Sequence, residues 1–120
     1  MRAFKNTWFS RFADKEGITD YELKEAVSQL EAGQADANLG GDVYKVRIAR
    51  PNEGKSGGYR VVVLFKKKER TFFVYGFAKS DRDNIDEKEK KDFKDLAKKH
   101  MRLTDEVIDK LVEKGKFIEI

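Results

Sequence analysis

The chain has 120 residues, 40% of them charged and 39% apolar, with 26 Lys and Arg against 22 Asp and Glu. A chain of this length buries roughly two thirds of its unfolded surface around one core, and its apolar share, with 9 Phe, is too high for a disordered segment. With no cysteine and a single histidine it lacks disulfide frames, thiolate chemistry and the usual zinc ligands, and no run approaches the ~20 apolar residues of a membrane span. The expectation is one soluble, cytoplasmic domain over residues 1–120, binding neither metal nor cofactor.

Arg2 to Lys5 reads as a short first strand. Asn6 or Thr7 then caps a helix that turns Trp8, Phe9 and Phe12 inward and stops at Gly17. Thr19 and Glu22 form a capping box, with Ile18 stapled onto Leu23 across it. Leu23, Ala26, Val27 and Leu30 follow at i, i+3, i+4 and i+7 until Gly33 ends the run. Gln34 to Asp42 reads as a small-residue loop. Val43–Ala49 alternates, with Tyr44, Val46 and Ile48 on one face and Lys45 and Arg47 on the other.

Pro51 to Gly58 is a breaker loop. Its GKSGG run lacks the first glycine of a phosphate-binding loop and leads into a strand instead of a helix. Tyr59–Lys66 and Thr71–Ala78 are apolar at nearly every position and read as a hairpin with helices over both faces. Asp83 or Asn84 caps a third helix with the stripe Phe93, Leu96, Ala97 and His100, whose histidine reads as structural. The carboxylates Asp81, Asp83 and Asp86 lack a calcium loop's glycine and read as helix-capping groups. Thr104 caps a fourth helix, flanked by Leu103 and Ile108 and ended by Gly115, and Phe117 to Ile120 forms an edge strand. The fold class is therefore α+β with an antiparallel sheet.

Charge is unevenly spread along this order. Residues 43–84 carry 11 Lys and Arg against 4 Asp and Glu, residues 1–42 carry 5 against 8, and residues 85–120 carry 10 against 10. The strand-rich segment is the basic part of the chain. Lys45 and Arg47 share a strand face, Arg60 opens the next strand, and Lys79 and Arg82 follow the third. Tyr75 and Phe77 lie on the side of Lys79, although Phe77 also suits a core. Cations interleaved with aromatics are what a single-stranded nucleic acid needs, because phosphates take the charge and bases take the rings.

The pieces VYKVRIARPNEGKSGGYRVVVLF (residues 43–65) and FFVYGFAKSDRDNI (residues 72–85) resemble the RelE/HigB toxins of type II toxin–antitoxin modules. More narrowly, they resemble a RelE-like branch with the signatures GKSGGYR and VYGFAKS. The resemblance implies a small microbial RNase-like fold with the helix and strand order read above, beyond which residues 104–120 form a helix-plus-strand extension. It implies a ribosome-dependent mRNA endonuclease that makes the 2′-OH attack the adjacent phosphate without metal or cofactor, leaving a 2′,3′-cyclic phosphate. Its catalytic positions map onto Lys45, Arg47, Arg60, Tyr75 and Lys79, and its RNA contacts onto Arg50, Lys55, Phe77 and Arg82. Lys45 is then the better base, Arg60 the stabiliser of the transition state, and Tyr75 stands where HigB members often carry a histidine. The implied partners are the ribosome, mRNA and a cognate antitoxin, a helix-turn-helix DNA-binding protein. Two other readings stay open at this stage: a ParE-like toxin that binds gyrase, and a non-enzymatic basic RNA-binding domain.

Overall fold

In the computed structural model, which describes residues 1–50 and 57–120, ten elements follow in chain order. They are β1 (Arg2–Asn6), α1 (Thr7–Glu16), α2 (Asp20–Glu31), β2 (Ala37–Gly40), β3 (Val43–Ile48), β4 (Tyr59–Lys66), β5 (Arg70–Ala78), α3 (Glu87–His100), α4 (Asp105–Glu113) and β6 (Phe117–Glu119). The six strands form one sheet in the order β2-β3-β4-β5-β1-β6. The sheet is antiparallel except where β1 runs parallel to β5, a pairing the strand pattern alone does not reveal.

Local chemistry accounts for the element ends. The Asn6 side chain accepts from the Phe9 amide at 2.7 Å and starts α1, and Gly17, at φ 74°, ends it in the left-handed conformation that glycine adopts without cost. Both halves of the Thr19–Glu22 capping box are made. A second box, Asp86 with Glu89, starts α3, so the cap is Asp86 and not Asp83 or Asn84. Thr104 caps α4 through the Val107 amide.

Two further expectations are corrected. The stretch Gln34 to Asp42 contains β2, a four-residue edge strand paired with β3, because Asn38, Leu39 and the glycines that follow still suffice for a short ladder. Trp8 does not face the core: it is 45% exposed, while Phe9 and Ala13 take the buried stripe of α1.

The sheet buries both faces. On one side α1 and α2 close over Val46, Ile48, Tyr59, Val61, Val63, Phe65 and Phe73. On the other α3 and α4 cover Phe4, Val43, Val62, Leu64, Phe72 and Val74. Arg2 ties the C-terminal segment back, with its guanidinium on Glu119 at 2.9 Å and on Asp109 at 2.8 Å.

Gly58, just before β4, has backbone where a side chain would go: a Cβ there would lie 2.1 Å from the Ile48 carbonyl oxygen. The atoms nearest to a Cβ on Gly76 are those of the Phe12 ring, the first at 2.7 Å, a side chain and not backbone. Gly58→Ala is therefore expected to cost about 2–3 kcal/mol and Gly76→Ala less, an order that denaturant melts of the two variants will show or refute.

Candidate functional site

The cross-strand register assembles the basic residues in two rows. Lys45 stands opposite Val62, which stands opposite Tyr75; Arg47 stands opposite Arg60, which stands opposite Phe77. Cross-strand partners share a face, so both rows start from the α3–α4 side of the sheet. A bulge in β5 decides whether Tyr75 and Phe77 belong there. Val62 pairs with Tyr75 but Val63 with Phe73, which leaves Val74 as the extra residue. Val74, Tyr75 and Phe77 consequently all pack with the α3–α4 side, whereas strict alternation from Phe72 would send the two aromatics to the opposite face.

Lys45 sits half-buried, with its ammonium donating to Asn84 Oδ1 at 2.9 Å. Burial lowers its pKa, and so does the neighbouring positive charge of Arg60, Lys90 and Arg47, against a smaller opposing pull from Asp36. Asn84 also accepts from the Ile85 amide at 2.9 Å, which fixes its carboxamide oxygen towards Lys45. Arg60 is 7% exposed, an unusual depth for a guanidinium, and lies one strand from Lys45.

Tyr75 forms the other wall. Its hydroxyl accepts from Arg82 Nη1 at 3.0 Å, and its ring lies 4.7 Å from Trp8, 6.0 Å from Phe77 and 6.0 Å from Phe93. Arg82 is clamped by Glu89: Nη1 reaches one carboxylate oxygen at 2.9 Å and Nη2 bonds the other. Its Nε donates to the Asn84 carbonyl at 2.8 Å, and its guanidinium carbon lies 5.9 Å from the Tyr75 ring centroid and 5.6 Å from that of Phe77. Arg82 holds the Glu89 carboxyl down to about 2, helped by the Asp86 amide, so at neutral pH the clamp is fully charged.

The remaining predicted residues lie at the rim or away from it. Arg47 shares the register but is drawn to the sheet edge by Asp36, which accepts from its amide at 2.5 Å and lies 3.7 Å from its Nε; it borders a small cleft with Glu22, Glu25 and Gln29. Arg50 packs towards the other face, 5.4 Å over the Tyr59 ring, with Nη1 3.5 Å from Ser80. Lys79 follows β5 in an exposed turn, bordering a shallow cleft with Asp81, Arg82 and Asp83. Phe77, 5% exposed, is a floor under Arg82 and offers no open ring face. Lys55 and most of the GKSGG run fall outside the described residues. His100 packs edge-on against Phe72 at 4.9 Å, away from this cluster, and burial lowers its pKa.

Sequence reasoning did not single out Asn84, Glu89 or Lys90 for the site. Glu89 was legible as the second half of an Asp-x-x-Glu capping box. Lys90 carries no local signal, since it is one lysine among many on α3. Among the described residues no group of three or more His, Cys, Asp or Glu is placed to hold a metal ion.

A comparison with protein families matches residues 1–120, from before β1 through β6, to the RelE toxin of the RelE/RelB toxin–antitoxin system. The chain belongs to the RelE toxin family. No curated protein matches it. A RelE toxin is one half of a pair, so the family implies a cognate antitoxin. No helix among the described residues of this RelE-family toxin is long and apolar enough to cross a membrane.

Proposed function

We propose that this RelE-family toxin cleaves mRNA in the translating ribosome, with Lys45, Arg60 and Tyr75 as its catalytic residues. The observation that carries the proposal is the pairing of a buried Arg60 with a half-buried Lys45 whose pKa that same arginine lowers. Burial first, and the neighbouring cations after it, turn this lysine into a base closer to neutrality.

In this scheme neutral Lys45 takes the proton of the 2′-OH, and the freed oxygen attacks the adjacent phosphorus. Arg60 stabilises the extra negative charge that accumulates on the phosphoryl oxygens. The bond to the 5′ oxygen breaks as Tyr75 gives that oxygen its hydroxyl proton, leaving a 2′,3′-cyclic phosphate and a 5′-hydroxyl end. Tyr75 suits the acid role because its oxygen accepts from Arg82, which leaves its own hydroxyl proton free to donate. Lys79 in its exposed turn and Arg47 at the rim supply charge for the flanking strand, and Lys55 adds to it.

The test is cleavage of a reporter mRNA in a translating lysate, with its new ends analysed for cyclic phosphate. Wild type is expected to cleave, and Tyr75→Phe to do so about a hundredfold more slowly. Growth arrest with intact mRNA would sink the nuclease reading and favour a gyrase-directed or purely binding toxin.

A further inference from the structure

The parallel strand β1 stops pairing with β5 at Lys5 opposite Phe73, so the edge of β5 from Val74 onward is handed to the start of α1. Asn6 Nδ2 donates to the Val74 carbonyl at 3.1 Å and sets that junction. Two residues later Trp8 emerges at the sheet edge, its ring 4.7 Å from Tyr75 and 5.3 Å from Phe12, nearly parallel to the latter at 14°. The rings of Phe12, Trp8, Tyr75 and Phe93 therefore run as one series of contacts from α1 into the cationic site. Trp8 is the single tryptophan of the chain, yet it stays 45% exposed.

The face of α1 that carries Trp8 is basic. Trp8, Arg11, Phe12 and Lys15 fall at i, i+3, i+4 and i+7 on one face and together line a cleft of about 310 Å³, which Asp14 does not line. From Trp8 to Lys15 is about 10 Å along the helix axis, a span of one to two nucleotides of extended strand. We infer that this face is a nucleotide subsite of the substrate strand: a base stacks on Trp8, and Arg11 and Lys15 hold the phosphates beside it. The ring offers a sequence-tolerant platform and the two cations give it polyanion selectivity. Continuity with Tyr75 makes the bound strand the one that runs through the catalytic residues; this identity rests on the nuclease reading above, whereas the binding itself does not.

Because Trp8 is alone, its fluorescence reports the subsite directly. The probe is a single-stranded eight-nucleotide RNA fully substituted with 2′-O-methyl groups, which cannot be cleaved, titrated into the full chain. A saturable quench that weakens with added salt is expected. Arg11→Gln with Lys15→Gln, both at the surface, should lower the affinity and reduce the steepness of its salt dependence. Trp8→Leu, followed by anisotropy of a labelled oligonucleotide, should bind about tenfold more weakly, and Trp8→Phe should recover most of the loss. In ribosomal cleavage Trp8→Leu should raise KM with little change in kcat.

A Trp8 signal that ignores the oligonucleotide while wild type still cleaves mRNA overturns the subsite and leaves the nuclease reading standing. A quench in a protein that never cleaves supports the subsite and removes the nuclease. Quenching by the purified antitoxin alone, and not by RNA, would assign the face to a protein partner and overturn the inference.

Discussion

Replacing Arg60 with methionine should lower mRNA cleavage about a thousandfold and leave the fold intact. Arg60 lies 7% exposed beside Lys45. Donors aimed at the oxygens where charge develops are the largest single catalytic contribution in most enzymes, because the site is already organised and partly dry. Methionine keeps roughly the packing volume, and a thermal melt of the variant separates lost chemistry from lost structure. Arg60→Lys keeps the charge but not the planar fork, and should recover only part of the rate. Single-turnover cleavage on stalled ribosomes decides the matter: full activity in Arg60→Met would leave the transition-state charge with no stabiliser and end the proposed mechanism.

Lys45→Met should cost a similar factor, about a thousandfold, but its more telling signature is in the pH profile. Neutral lysine is the active form, so the wild-type rate should climb about tenfold per pH unit and level off above the Lys45 pKa, which lies below the ordinary 10.5. Lys90→Gln removes one of the charges that lowers it. The levelling-off should then move to higher pH and the rate at neutral pH should fall, although Lys90 touches no reacting atom. A profile that is flat in wild type, or unmoved by Lys90→Gln, would take the base role from Lys45. Stability should move the other way. The folded-state pKa of Lys45 is depressed below its unfolded value, so at neutral pH its protonation opposes folding. Lys45→Met is thus expected to melt no lower than wild type, which separates lost chemistry from lost structure.

The same lysine shows how far the sequence could be read. Alternation in Val43–Ile48 placed Lys45 and Arg47 on one face, and the GYR run placed Arg60 at the start of the next strand; the cross-strand register agrees with both. The caps at Asn6, Thr19 and Thr104 were legible for a local reason, since a short polar side chain and an amide three residues on are enough to start a helix. Trp8 was misread because a helical aromatic stripe says which residues share a side and does not say where the sheet beneath it ends. Arg47 behaved similarly: its face was right, but Asp36, eleven residues earlier, pulls its side chain to the edge.

By itself, then, the sequence determined which residues lie on helices and strands, β2 excepted, where most helices begin, and that one strand-rich segment holds the positive charge. These follow from period, capping and composition, which act over a few residues. Only the tertiary structure decided that the cations meet aromatics. The bulge at Val74 turns Tyr75 and Phe77 onto the face of Lys45 and Arg60, and β1, inserted parallel to β5, ends early enough to leave Trp8 beside them. Both outcomes depend on register between segments distant in the chain, where a shift of one residue sends a side chain to the opposite face.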